Sequence, residues 1–153
     1  MIQDFEVRLA LEHYQEYVDS LKDAQDDIEA FEAHIYHVGG SYAKRPENPI
    51  DRGSIQIINM EWMRQLVSER DRFQHSVKLA EDFITWLSDL PDRRDKSFII
   101  DRYRNQRSIA WMECEYSIDR STVFRKIDYL IRKYIKCLKH ATSRADLRDN
   151  IIL

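Results

Sequence analysis

The chain has 153 residues, 43% hydrophobic and 33% charged, with a formal net charge of −3, which suits one domain or two small ones. Three glycines and three prolines argue against a β-rich or loop-rich fold and for long helices, an all-α protein. There is no run of about 18 apolar residues and no charged-then-apolar leader, so the expectation is a cytoplasmic protein with no membrane partner.

Val7, Leu11, Tyr14, Val18 and Leu21 follow alternating steps of four and three. After a shift of register, Ala24, Ile28, Phe31 and Ile35 continue the pattern, which predicts one helix of roughly 30 residues. A second run, Met63, Leu66, Arg70, Phe73, Val77, Ala80, Ile84 and Leu87, predicts a helix of about 25 residues. Arg70 interrupts that seam and reads best as a snorkelling side chain at its edge. All three glycines and two of the three prolines fall between residues 39 and 53, which marks 38–54 as the loop of a helical hairpin over 1–90. A lone hairpin would leave Phe5, Leu9, Tyr17, Trp62, Val67, Phe83 and Trp86 partly exposed. Pairing two hairpins into a four-helix bundle would cover them, so 1–90 is expected to be an oligomerisation domain that forms a homodimer.

Pro91 is expected to close the second long helix and to open the next at its first position, with Asp92 and Asp95 at the positive helix end. That helix, about 92–104, buries Phe98, Ile99 and Tyr103 and supports the two helices after it. From Arg107 to Lys133 two helices are predicted around a tight turn. Ile109, Met112 and Tyr116 form the inward face of the first; Asp119 is the N-cap of the second, and Val123, Ile127, Leu130 and Tyr134 turn inward. Arg120, Ser121, Thr122, Arg125 and Lys126 face out, and these side chains reach base edges and phosphates in a major groove. The pattern also occurs in helical domains that never touch nucleic acid, and the charge distribution favours the DNA-binding reading over packing alone. Residues 1–90 hold 9 Lys+Arg against 18 Asp+Glu, whereas 91–153 hold 15 against 9. Between Arg120 and Lys139 there are seven basic residues and one acid, Asp128. Such a block is the footprint of a phosphate-binding module, which places a helix-turn-helix DNA-binding domain over 91–140 with a tail over 141–153.

The run FIIDRYRNQRSIAWMECEYSIDRSTVFRKIDYLI resembles the C-terminal segment of phage late transcriptional regulators of the RinA/ArpU type, itself similar to region 4 of bacterial sigma factors. The matching residues are Arg102-Tyr103, Ser108, Ile118-Asp119 and Arg120-Ser121-Thr122-Val123-Phe124-Arg125-Lys126, with Leu90-Pro91-Asp92 as a similar junction after a long helical region. Two positions depart from the pattern: Glu113 stands where a small residue is usual, and Asp119 stands where serine is. The resemblance implies that Arg120, Ser121, Thr122, Arg125 and Lys126 lie in the major groove. It further implies that Gln106, Arg107 and Ser108 contact phosphates through side chains and helix-end amides. Phe124 either touches a thymine methyl or packs on the support helix, and Tyr129 is within reach of the backbone.

The function so implied is a sequence-specific, phage- or prophage-encoded regulator of late-gene promoters, with double-stranded DNA as ligand, RNA polymerase as a protein partner, and no cofactor. Two alternatives stand beside it: a small terminase-like DNA-packaging subunit, and a helical adaptor that modulates a host protein through the acidic half. An enzyme is not expected. His34 and His37 share a helix face without a third ligand, and there is no glycine-rich phosphate loop or nucleophile motif. Cys114 and Cys137 read as reduced, half-buried packing residues.

Overall fold

The computed structural model describes the backbone of residues 1–40 and 49–151, and the side chains of 1–34 and 58–148. Every element among them is helical: α1 (Asp4–Glu12), α2 (Tyr14–Gly40), α3 (Pro49–Ser88), α4 (Arg93–Ile99), a π-helical turn (Ile100–Arg104), α5 (Ile109–Tyr116) and α6 (Arg120–Ile151). None of these helices is long and apolar enough to cross a membrane.

The first long helix is broken. His13, at φ −109° and ψ 20°, ends α1, so the expected single helix of roughly 30 residues is two, α1 and α2. Helix also runs through Gly40 at one end and from Pro49 at the other, which narrows the expected 38–54 loop. Pro49 occupies a first helical position, where a missing N–H costs nothing. The basic residues Lys44 and Arg45 lie outside the described residues, as does the side chain of Arg52.

The chain forms two compact units, residues 1–15 with 77–153, and residues 16–76. This division differs from a boundary at Pro91, and the reason is burial. Val7, Ala10 and Leu11 of α1, and Leu79, Ala80, Phe83, Ile84 and Leu87 of α3, share one core with Phe98, Ile99, Met112 and the inward face of α6. On α6 that face is Val123, Ile127, Leu130, Ile131, Tyr134 and Ile135, at steps of three and four. Each large side chain so enclosed contributes about 1.5–3 kcal/mol. The ion pairs Arg8–Asp128 and Arg132–Asp4, which link α1 to α6, involve largely exposed groups and add at most about 1 kcal/mol each. Apolar burial therefore assigns α1 to this unit.

Part of the apolar surface expected at a dimer interface is covered within the chain. Phe83 is fully buried by its own chain; its ring lies 5.3 Å from Tyr134 and 6.0 Å from Trp86. Neither it nor the half-buried Trp86 needs a second copy. Phe5, Leu9 and Trp62 do remain exposed.

In the unit of residues 16–76, ring contacts Tyr17–Phe73 and Phe31–Trp62, at 6.3 and 5.6 Å, show α2 and α3 running in opposite directions. Only Ala24 and Ile28 of its described residues are buried, whereas Leu21, Met63, Leu66, Val67 and Phe73 are half-exposed. Arg70 sits at the seam's edge and hydrogen-bonds its neighbour Asp71 at 3.0 and 3.2 Å.

Candidate nucleic-acid interface

Local capping chemistry builds the candidate site. Asp92 caps α4, its carboxylate accepting the Arg94 N–H at 2.9 Å, so Pro91 lies before the helix and does not occupy its first position. Proline thus precedes the cap, because the chain leaves α3 through a short turn after Ser88. Ser108 caps α5 by accepting the Trp111 N–H at 3.1 Å. At the other end of α5, Ser117 takes the left-handed conformation (φ 53°, ψ 45°) and the Ile118 N–H returns to the Glu113 carbonyl at 3.2 Å. Asp119 then caps α6 through Oδ1, which accepts the Thr122 N–H at 2.8 Å. Hydrogen bonds from Thr122, then Ser121, and the charge of Arg125 hold the Asp119 carboxyl below the usual carboxylate range.

These caps fix the angle at which α6 leaves the turn, and Met112 and Val123, both fully buried, anchor the two helices to the core. Ala110 and Cys114 are exposed, so neither acts as the small residue of a close helix crossing. Cys137 is exposed as well. Contrary to expectation, the cysteines are surface residues, since both fall on outward positions of their helices.

The residues singled out in the sequence separate into groups. Ser121, Thr122 and Arg125 gather around Asp119. Arg120 lies over the Phe124 ring at 5.9 Å, one turn further on, and Phe124 is 44% exposed, so it does not serve as packing against the support helix. Lys126 behaves differently: its Nζ is 3.3 Å from Asp95 Oδ1 and 4.9 Å from the Phe98 ring centroid, which ties it to α4. Arg107 holds its guanidinium 4.8 Å above Trp111, Gln106 adopts φ 52°, and the Ser108 hydroxyl is engaged as a cap. All three are exposed.

Periodicity gave no sign of the polar clamp behind this loop. The Tyr116 hydroxyl donates to Asp101 Oδ2 at 2.7 Å, and Asn105 donates to Oδ1 at 3.0 Å. The Asp101 carbonyl accepts the Arg107 N–H at 2.9 Å, and Arg102 donates to the Arg107 carbonyl at 3.1 Å. Burial, and then the Asp101 carboxylate, push the Tyr116 hydroxyl well above its ordinary pKa. The π-helical turn brings Asp101 to this position; the four-residue spacing of Asp101 and Asn105 was the only trace in the sequence. Among the described residues no three His, Cys, Asp or Glu side chains gather as metal ligands; the side chain of His37 lies outside them.

Comparison with protein-family models, with curated proteins and with solved structures finds no match for this chain.

Proposed function

We propose that the protein is a sequence-specific DNA-binding transcriptional regulator in which α5 and α6 form a helix-turn-helix and the start of α6 enters the major groove. One observation carries this reading: the first two turns of α6 divide cleanly. Val123 and Ile127 are buried, while Arg120, Ser121, Phe124 and Arg125 are exposed, with Thr122 half-exposed. Among the described residues no acidic side chain forms an ion pair with Arg120 or Arg125 within 4 Å; the Asp119 charge acts on Arg125 only as the cap. Cations left free on a rigid, capped helix are what recognition of base edges and phosphates requires. Lys126 belongs to the support rather than to the groove, given its pairing with Asp95.

The resemblance to RinA/ArpU-type regulators supports the narrower reading, a phage- or prophage-encoded, cytoplasmic protein acting at late promoters with RNA polymerase. The half-exposed seam of α2 and α3 supports pairing with a second copy. Selection of bound fragments from phage and host DNA, followed by salt titration on a selected duplex, tests the proposal. With about six to ten phosphate contacts, affinity falls roughly 10³–10⁵-fold between about 50 and 200 mM salt. A flat response overturns it.

A further inference from the structure

α6 is a single helix of 32 residues, about 48 Å long at roughly 1.5 Å per residue. The proposed reading end, Arg120 to Arg125, uses only about 8 Å of that length. A B-DNA major groove is about 12 Å wide. Most of α6 therefore extends past the groove into which its start would fit.

The helix beyond that point is not neutral. Arg132, Lys136 and Lys139 continue the helical side of Ser121 and Arg125 at steps of three, four and seven, and all five are exposed. Between Arg120 and Arg148 the helix holds two acids, Asp128 and Asp146, and Asp128 is engaged by Arg8. Arg132 is 73% exposed and only grazes Asp4, at 4.0 Å. Lys136 and Lys139 form no ion pair among the described residues. Tyr134, on the opposite side of the same turns, is buried, as is Ile135 at the flank, so the helix cannot roll to hide these cations. Arg132 starts about 18 Å beyond Arg120, past the width of the groove, where a straight helix meets the phosphates along its edge.

We infer that Arg132, Lys136 and Lys139 form a second contact segment, which binds the phosphodiester backbone flanking the bases met by the start of α6. This rests on the DNA-reading proposal and adds to it a sequence-independent anchor outside the reading turns. The two lysine ammonium groups act as flexible point charges and the Arg132 guanidinium can grip phosphate oxygens bidentately, so all three supply affinity without base preference.

The test is the full-length triple variant Arg132→Gln, Lys136→Gln, Lys139→Gln, in which glutamine keeps the aliphatic stems and helix propensity. Binding is measured against salt on a duplex selected by the unaltered protein and on an unrelated duplex of equal length, with helicity checked by circular dichroism. The slope of log affinity against log salt should fall by about three. Both duplexes should weaken in parallel, by roughly 10²-fold at about 0.1 M salt. In contrast, Arg125→Ala should narrow the gap between the duplexes. An unchanged slope in the triple variant overturns the inference while leaving the reading helix standing, as does loss of discrimination between the duplexes. If the unaltered protein binds neither duplex, both this inference and the regulator reading fall.

Discussion

Asp119 carries opposite consequences for folding and for binding. Its cap holds the first turn of α6, and its depressed pKa means that the stabilisation is present above the ordinary aspartate range and is lost as pH falls through the folded value. Replacing it by asparagine keeps the capping geometry and removes a negative charge beside the proposed phosphate path. Asp119→Asn is therefore expected to leave the melting temperature nearly unchanged while tightening duplex binding at low salt; weaker binding in a mobility-shift titration would contradict this. Among the described residues neither Arg120 nor Arg125 forms an ion pair within 4 Å, Asp119 acting on Arg125 only through its charge. Their alanine variants should each cost about 1–3 kcal/mol in duplex affinity if they read guanine, with no loss of thermal stability. On the alkaline side, burial raises the pKa values of Tyr14, Tyr103, Tyr116 and Tyr134. A raised folded pKa gives stability that is complete below about pH 10 and is lost as pH climbs through the folded values. Tyr116→Phe should thus flatten the decline of melting temperature above about pH 10, at the cost of the Asp101 hydrogen bond at neutral pH, about 1 kcal/mol.

At the level of elements, α6 ties the reading surface to the core. Its inward face is apolar from Val123 to Ile135, so the outward face is fixed by elimination, and no single polar contact sets its orientation. Leu130→Ala, at a position 1% exposed, should destabilise the protein by about 2–5 kcal/mol in urea unfolding. Much of this arrangement was legible in the sequence because it reflects a 3.6-residue period: the inward set of α6, the Asp119 cap and the turn after Tyr116. The π-helical turn and the Asp101 clamp were not legible. They depend on a hydroxyl fifteen residues away, and spacing within a helix carries no information about such a partner. The break at His13 was not legible either, since steps of three and four run through it without interruption and predict a single helix.

For the molecule taken entire, the sequence invites a cut at Pro91 and the core forbids it. Val7, Leu11, Phe83 and Leu87 are each at most 1% exposed, and all come from the segment before the cut. A fragment of residues 91–153 should therefore lack a cooperative thermal transition, whereas the full chain should show one; a well-dispersed amide spectrum from the fragment would refute that. The unit of residues 16–76 presents the opposite case, with two buried side chains among its described residues and a half-exposed seam. Sedimentation of the full chain should give a dimer, and Leu66→Glu should shift it towards monomer without unfolding the remainder. A ring of about eight or more copies would favour the packaging alternative over the regulator.

Residue order alone settled the class of secondary structure, the inward and outward faces of α6, the Asp119 cap, and the uneven charge between the halves. Each of these is a local property, set by periodicity, side-chain hydrogen-bonding range and composition. Packing of the folded chain was needed to establish that α1 belongs with the C-terminal helices, that Lys126 is tied to Asp95 while Arg120 and Arg125 stay open, and that the cysteines lie at the surface. Those outcomes depend on which apolar faces find each other across more than a hundred residues, and many pairings of amphipathic helices satisfy the same pattern until the packed core selects one.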